Sequence, residues 1–159
     1  MMRTFLAVEI GARLRAQLAS LQEVLREQLG HEETKEVRIA WVRPLSIHLT
    51  IKFLGDTDEA LLAPMHDAIE QSVKPHLPLR IPSERIGVFP RVQQPTVLWV
   101  GPGERWRHTD DASRLVALHQ AVEAVCQPFG FPPEGRALSP HLTLARIKEG
   151  QRRVGQELR

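Results

Sequence analysis

A four-residue motif that occurs twice constrains the fold of this 159-residue chain more than any other feature. His48-Leu49-Thr50-Ile51 recurs as His141-Leu142-Thr143-Leu144. A shuffled chain of this composition would contain roughly 0.04 His-Leu-Thr triplets, so two copies are a real signal. Both copies lie in segments of strand character, and residues i and i+2 of a strand point to one face. Each strand therefore presents a histidine beside a threonine, and its aliphatic residues point to the core.

The segments around the motifs predict an α+β fold. Apolar spacing and capping residues predict helices over 12–29, from 56 or 57 to about 73, and from 110 or 111 to about 128. Strands are predicted over 4–10, 38–42, 47–54, 96–100 and 141–147. The segment 77–89 is interrupted by Pro78 and Pro82 and is predicted to be an edge strand that runs into 85–89, and the polar tail 149–159 is predicted to be mobile. Some strands follow one another directly, which favours antiparallel sheets over a doubly wound parallel sheet. The length suits one compact domain, 1–159, or two small lobes that share a core.

Composition narrows the cellular setting but not the chemistry. A single cysteine, Cys126, excludes an intramolecular disulfide and suits a reducing cytoplasm, and we expect it to be a small core residue. The sequence shows neither a signal peptide nor an apolar run long enough for a membrane span, so we expect a cytoplasmic protein. The net charge is +2 and arginine is abundant, which is compatible with a phosphate-bearing substrate but also with a genome that favours arginine codons.

The repeated residues support a narrow chemistry if a pseudo-two-fold axis brings both pairs to one cleft. Two imidazoles can act as base and acid in one displacement at phosphorus. Two threonine hydroxyls can donate hydrogen bonds to phosphate oxygens. None of these side chains is a good nucleophile, so water or a substrate hydroxyl must attack. A single copy of the motif would be explained more simply by a strand with a partly buried histidine.

A metal site is the main chemical alternative. His48, Thr50, His141 and Thr143 offer two imidazoles and no carboxylate or thiolate, whereas zinc sites use three or four protein ligands. We therefore expect no metal and no other cofactor. The remaining histidines lie in predicted loops or on helix faces and are expected to have surface or capping roles: His31, His66, His76, His108 and His119.

The chain resembles the two-histidine phosphoesterases, and within them the bacterial and archaeal RNA 2′,3′-cyclic phosphodiesterases, long labelled 2′-5′ RNA ligases. The resemblance covers nearly the whole chain and rests on segments 3–10, 41–44, 48–55, 87–90 and 140–146. The extended motifs His-x-Thr-x-x-Phe and His-x-Thr-x-x-Arg are specific to this subfamily, and both are intact. Leu138 departs from the phenylalanine that the family commonly has before Pro-His, which affects a local packing contact.

The resemblance implies a bilobal, duplicated α+β fold with antiparallel sheets, helices packed outside and an active-site cleft between the lobes. By position, His48 would be the general acid that protonates the ribose 3′-oxygen, and His141 the general base that activates water. The product would be a 2′-phosphate. Thr50 and Thr143 would orient the phosphate.

The resemblance also assigns Arg146 to the phosphate and Phe53 to stacking on the terminal base. Both residues lie five positions after their histidine, and a regular strand would send this odd offset to the opposite face. A bulge, a strong twist or a strand end must intervene if both serve the site. For Phe53, burial in the core is the alternative.

The expected substrates are RNA ends or nucleotides that carry a 2′,3′-cyclic phosphate. Reversible joining and cleavage of 2′,5′-linked RNA is an alternative, since it uses the same catalytic pair with a 5′-hydroxyl in place of water. A non-catalytic module that binds RNA ends or nucleotides is a second alternative, although binding alone needs no acid–base pair. We expect a monomer with no obligate protein partner and no membrane association.

Overall fold

The computed structural model of the protein describes residues 1–29 and 36–158. The elements, in chain order, are β1 (Met2–Glu9), α1 (Ala12–Leu29), β2 (Arg38–Trp41), β3 (His48–Thr57), α2 (Leu62–Val73), β4 (Arg85–Phe89), β5 (Val97–Gly101), α3 (Asp110–Cys126), β6 (Leu142–Glu149) and α4 (Gln151–Glu157). Short 3-10 helices cover Pro44–Ser46, Glu59–Leu61, Glu104–His108 and Gln127–Phe129.

The strands form a six-stranded sheet in the order β1-β3-β6-β5-β4, with β2 also paired to β6. β6 is antiparallel to β2, β3 and β5, and β4 is antiparallel to β5. The predicted α+β class with an antiparallel sheet is confirmed.

The chain divides into two compact units, each built from separate stretches of sequence. Unit 1 contains Met1–Val8, Thr50–Pro82 and Pro102–Pro140, and unit 2 contains the rest. One boundary falls between Leu49 and Thr50, inside the first motif. The organisation as one domain with one motif in each lobe remains a prediction.

Unit 1 has a hydrophobic cluster around the 3-10 helix that precedes α3. Trp106 packs with Ala112 and Leu115, and Leu79, Ile81 and Leu138 pack against them. The Trp106 indole Nε1 donates a hydrogen bond to the carbonyl of Arg80 at 2.8 Å, so its polar atom is satisfied inside the cluster. Leu138, the residue that departs from the family pattern, is thus half-buried against this cluster.

In unit 2, a buried amide ties α1 to the strands. The side-chain Nε2 of Gln22 donates to the carbonyls of Val42, at 2.7 Å, and Leu144, at 3.0 Å. Gln22 lies among the buried leucines of α1, Leu18 and Leu25. A buried amide that makes both hydrogen bonds fixes the helix against the strand of the second motif.

Three expected elements differ from the structure. The tail is not mobile, since α4 forms after Gly150 and buries Val154 to 1% exposure. The predicted edge strand 77–89 is confirmed at the edge of the sheet but is shorter, Arg85–Phe89, because prolines earlier in the segment cannot donate to a ladder. β3 extends to Thr57, so Asp58 rather than an earlier residue caps the next turn, accepting from Ala60 N at 3.0 Å.

Within residues 1–29 and 36–158, no helix is long and apolar enough to cross a membrane.

Candidate active site

The first motif begins directly after the 3-10 helix Pro44–Ser46. The Nδ1 atom of His48 lies 2.8 Å from the carbonyl oxygen of Ser46. A carbonyl only accepts, so Nδ1 carries the proton and donates it. This contact fixes the orientation of the His48 ring.

The second motif begins at His141, one residue before β6, and its ring is held among aromatic side chains. Phe89 meets the His141 ring edge-on, with centroids 5.0 Å apart and planes at 87°. The ring centroid of Trp99 lies 6.3 Å from that of His141 and 5.2 Å from that of Phe89. The guanidinium of Arg85 stands 5.5 Å over the Trp99 ring. Both aromatic contacts of His141 therefore come from β4 and β5.

Trp99 reaches this position because the residue paired with it has no side chain. Gly87 of β4 is the register partner of Trp99, and a Cβ at position 87 would overlap the indole ring. A glycine in a strand commonly marks such a close approach. Phe89 and Trp99 were missed as site residues by sequence reasoning, and Gly87 in a predicted strand was the signal that could have indicated an aromatic neighbour.

One strand pairing brings the two motifs together within unit 2. Leu49 of β3 is the register partner of Leu142 of β6, and both leucines are buried. In an antiparallel pair, His48 then lies beside Thr143, with side chains directed away from those leucines. His141 shares this face because it is two residues before Thr143. This pairing supports the predicted convergence of His48, His141 and Thr143 on one face, which stays a prediction.

A β-bulge resolves the odd spacing of Arg146. On the β5 side, Trp99 pairs with Thr143 but Leu98 pairs with Ala145, so Leu144 is an extra residue in β6. Leu144 and Ala145 are consecutive and both 0% exposed, which is expected where two bulged residues point to one side. The extra residue shifts the alternation of side chains between the two faces of β6. Arg146 is therefore exposed on the side of His141 and Thr143. A bulge was one of three features expected to explain this spacing, and it is confirmed in β6.

Strand β3 shows the same burial pattern as β6, with two consecutive buried residues followed by an exposed one. Ile51 and Lys52 are both buried, whereas Phe53, the residue after them, is 63% exposed. The core alternative for Phe53 is therefore wrong. Thr50 is half-buried and lies two residues after His48 in the same strand, so the two side chains share a face of β3.

A buried charged cluster in unit 1 was missed by sequence reasoning. Lys52 Nζ lies 2.8 Å from Oε2 of Glu123 and donates to the Pro132 carbonyl at 3.1 Å. His119 Nε2 is 3.1 Å from Glu123 Oε1, but the atoms are not aligned as a hydrogen bond. The surface role expected for His119 is wrong, because its residue exposure is 8%.

Cys126 is a core residue, as predicted, with 0% exposure. Burial raises the pKa of the Cys126 thiol; nearby Lys52 opposes this increase, and Glu123 adds to it. The thiolate is the reactive form, so this environment disfavours nucleophilic chemistry at Cys126.

One group of potential metal ligands occurs in the described part of the chain. His66, Asp67 and Glu70, all exposed on α2, place one ligand atom each within 4.8 Å of one another. This group includes neither motif histidine, and exposed acidic groups of this kind are common without a metal.

A protein-family model described as the 2′-5′ RNA ligase superfamily matches residues 41–154, which is well over half of the chain. The chain belongs to this superfamily. The RNA 2′,3′-cyclic phosphodiesterase of Aquifex aeolicus is 32% identical to this chain over 139 residues. The matched part is 87% of this chain and 71% of that protein. The protein of the same name from Archaeoglobus fulgidus is 27% identical over 158 residues, 99% of this chain and 80% of that protein.

Solved structures show the same superfamily fold. The crystal structure of TT0787 of Thermus thermophilus matches with a TM-score of 0.70 and 25% identity, covering 92% of this chain and 75% of that one. E. coli LigT complexed with 3′-AMP matches with a TM-score of 0.59 and 22% identity, covering 91% and 72%. The second likeness supports the fold alone.

Proposed function

We propose that this protein hydrolyses 2′,3′-cyclic phosphate ends of RNA to 2′-phosphomonoesters, with His48 as general acid and His141 as general base. His141 takes a proton from water as the water oxygen attacks phosphorus. The bond between phosphorus and the ribose 3′-oxygen breaks, and His48 gives that oxygen a proton. The product has a 2′-phosphate and a free 3′-hydroxyl.

The observation that carries this proposal is the pairing of Leu49 with Leu142. It places two His-x-Thr sequences, far apart in the chain, on neighbouring strands. General acid–base catalysis needs both groups within reach of one substrate, and a position on adjacent strands is consistent with this requirement. A chance repeat would have no reason to be paired in the sheet.

The surroundings of His48 suit a proton donor. Its Nδ1–H is already engaged by the Ser46 carbonyl, so a second proton on Nε2 is the one that can move. The fixed ring orientation keeps that proton directed at one place. The contact therefore supports a single catalytic nitrogen in His48.

The phosphate-binding assignments that the resemblance implies are supported by the face that these residues share with the motif histidines. Arg146 is exposed on the side of His141 and Thr143, and its planar fork can hold two phosphate oxygens at once. Thr143 and Thr50 each offer a hydroxyl donor beside a motif histidine. We assign all three to the phosphate and Phe53 to the terminal base.

The relatives support the substrate class, because curated proteins at 26–33% identity carry the name RNA 2′,3′-cyclic phosphodiesterase. We infer that the protein acts without a metal, as a monomer and in the cytoplasm. The absence of a metal is inferred from the two-imidazole donor set, which lacks a carboxylate, and the cytoplasmic location from the single buried cysteine.

The superfamily description favours a second candidate, reversible formation of 2′,5′-linked RNA. In this reaction a 5′-hydroxyl attacks the cyclic phosphate in place of water. The same base and acid serve both reactions, so water and the 5′-hydroxyl compete to attack the same phosphorus.

The experiment uses an RNA oligonucleotide with a 2′,3′-cyclic phosphate end, with and without a second strand that offers a 5′-hydroxyl. We expect a 2′-phosphate product, and a drop in rate of about 10²- to 10⁴-fold for His48→Ala and for His141→Ala. His66→Ala, at an exposed histidine on α2, is the matched control. Retention of more than about a tenth of the rate in either motif variant would contradict the assignment. A joined product as the main outcome would instead favour the ligase.

A further inference from the structure

Two exposed aromatic rings lie side by side on adjacent strands of unit 1. The centroids of Phe5, on β1, and Phe53, on β3, are 6.1 Å apart, with planes at 48°. Phe5 is 45% exposed and Phe53 63% exposed. Phenylalanine is usually buried, so two neighbouring exposed rings indicate a surface that contacts another molecule.

The exposed face of β1 carries a cation beside its aromatic ring. Arg3, Phe5 and Ala7 are exposed, whereas Thr4 and Leu6 between them are half-buried. Arg3 and Phe5 therefore share the face on which Phe5 meets Phe53. Two residues of strand span about 7 Å, a distance comparable to one nucleotide step of an extended single strand. Alternation of a cation with aromatic rings is how proteins hold single-stranded nucleic acid.

We propose that Arg3, Phe5 and Phe53 form a platform, here called the β1 platform, that binds the last two nucleotides of an RNA with a cyclic phosphate end. Phe53 stacks on the terminal base, Phe5 on the base before it, and Arg3 binds the phosphate that precedes this second base. The preferred substrate is then single-stranded RNA of two or more nucleotides, rather than a nucleoside cyclic phosphate. This inference rests on the proposed function, because Phe53 belongs to the strand of the first motif.

RNA fits the β1 platform better than a second copy of the chain does. The platform includes an arginine, and the chain carries a net charge of +2. A polyanion is attracted to such a surface, whereas a like-charged copy is not. The rings and the cation also match the two parts of a nucleotide, a flat base and a charged phosphate.

The test compares kcat/KM for a pentanucleotide with a 2′,3′-cyclic phosphate end and for the nucleoside 2′,3′-cyclic phosphate of the same terminal base. We expect the pentanucleotide to be preferred by at least about tenfold in the wild-type protein. Phe5→Leu keeps apolar bulk without a stacking surface, and should reduce this preference about fivefold or more. Phe5→Trp should keep it, which separates stacking from misfolding.

One control tests whether any truncation on β1 changes the preference, and a second variant tests the charge of Arg3. Val8→Ala truncates another exposed residue of β1, 49% exposed, and should leave the preference unchanged. Arg3→Gln should lower the salt dependence of pentanucleotide binding by a slope of about 0.7. Equal kcat/KM for the two substrates would overturn the proposal, as would a preference unaffected by Phe5→Leu. A dimer that Phe5→Leu disrupts would show instead a self-association surface.

Binding separates this inference from the proposed function. Fluorescence anisotropy with a pentanucleotide ending in a 2′-phosphate requires no turnover. If the wild-type protein hydrolyses neither substrate but Phe5→Leu still weakens binding about fivefold or more, the proposed function fails and the β1 platform stands. If hydrolysis occurs but Phe5→Leu does not change binding, the platform fails alone.

Discussion

Lys52 and Glu123 form an ion pair inside unit 1, with Nζ and Oε2 2.8 Å apart and side chains 2% and 7% exposed. Lys52 lies on β3 between Thr50 and Phe53. The same Nζ donates to the carbonyl of Pro132, and Glu123 Oε2 accepts from the backbone N–H of Glu134. The pair thus connects the strand of the first motif to α3 and to the segment after it.

Removal of one member of this pair should destabilise the protein more than removal of both. Lys52→Met leaves the Glu123 carboxylate buried without its cation, at an expected cost of about 3–5 kcal/mol. The double variant Lys52→Met, Glu123→Leu removes both charges and should lose less than either single variant. Urea unfolding of the three variants gives the coupling free energy. Additive losses would show that the two charges do not interact.

Gly87→Ala should disturb the aromatic side chains around His141. The new Cβ would overlap the Trp99 ring, which contacts both Phe89 and His141. Overpacking of this kind costs about 1–3 kcal/mol, and a shift of about 1 Å at a reacting group can cost 10²-fold in rate. Gly11→Ala is the control, because a Cβ there meets nothing within 4 Å. Equal kcat for both variants would show that Trp99 does not position His141.

Local pattern predicted the elements that carry the site. The leucine spacing of 12–29 matches the bounds of α1, and both motif strands are present. The end of β3 and the start of α4 depend on packing: Thr57 continues its strand into a buried position, and Val154 is buried although its neighbours are polar. Such burial is not visible in local periodicity.

The site itself was predictable only in its repeated residues. The exposure of Arg146 depends on a bulge, which is a property of the pairing between β5 and β6. The contacts of Phe89 and Trp99 with His141 depend on register across two further strands. Lysine is rarely buried without a partner, and His119 was expected in a surface or capping role, so the burial of Lys52 and His119 beside Glu123 was not predicted.

Hydrolysis should be insensitive to chelation. The motif residues supply two imidazole ligands, whereas a catalytic zinc site needs three protein ligands. We expect the same kcat/KM in excess EDTA and no gain from added Mg²⁺, Mn²⁺ or Zn²⁺. Loss of activity in EDTA that one metal restores would contradict the acid–base assignment of His48 and His141. His66→Ala, tested in parallel, shows whether the exposed group on α2 contributes.

Arg146 should be required whatever the terminal base, because it is assigned to the phosphate that all substrates share. Arg146→Ala should lower kcat/KM by at least about tenfold for each of the four terminal bases, since a charge-assisted hydrogen bond contributes about 1.5–3 kcal/mol. Arg146→Lys should recover little, because an ammonium group cannot bind two oxygens in a fixed fork. Arg152→Ala, at an exposed arginine of α4, is the control. A loss confined to one base would show that Arg146 reads the base.

Phe53→Ala should separate substrate binding from stability. The ring is 63% exposed, so its removal leaves no closed cavity, and the cost is limited to its contact with Phe5. Cross-strand aromatic pairs of this kind contribute about 0.2–1 kcal/mol.

Leu54→Ala, one residue later and 9% exposed, is the matched comparison. It should cost about 2–5 kcal/mol, because it does leave a cavity. If Phe53 stacks on the terminal base, Phe53→Ala should lower kcat/KM roughly 5- to 100-fold, mostly through KM, with a nearly unchanged melting temperature. The two variants together therefore dissociate stability from substrate binding along one strand. A melting temperature lowered as much by Phe53→Ala as by Leu54→Ala, with normal turnover, would remove Phe53 from the site.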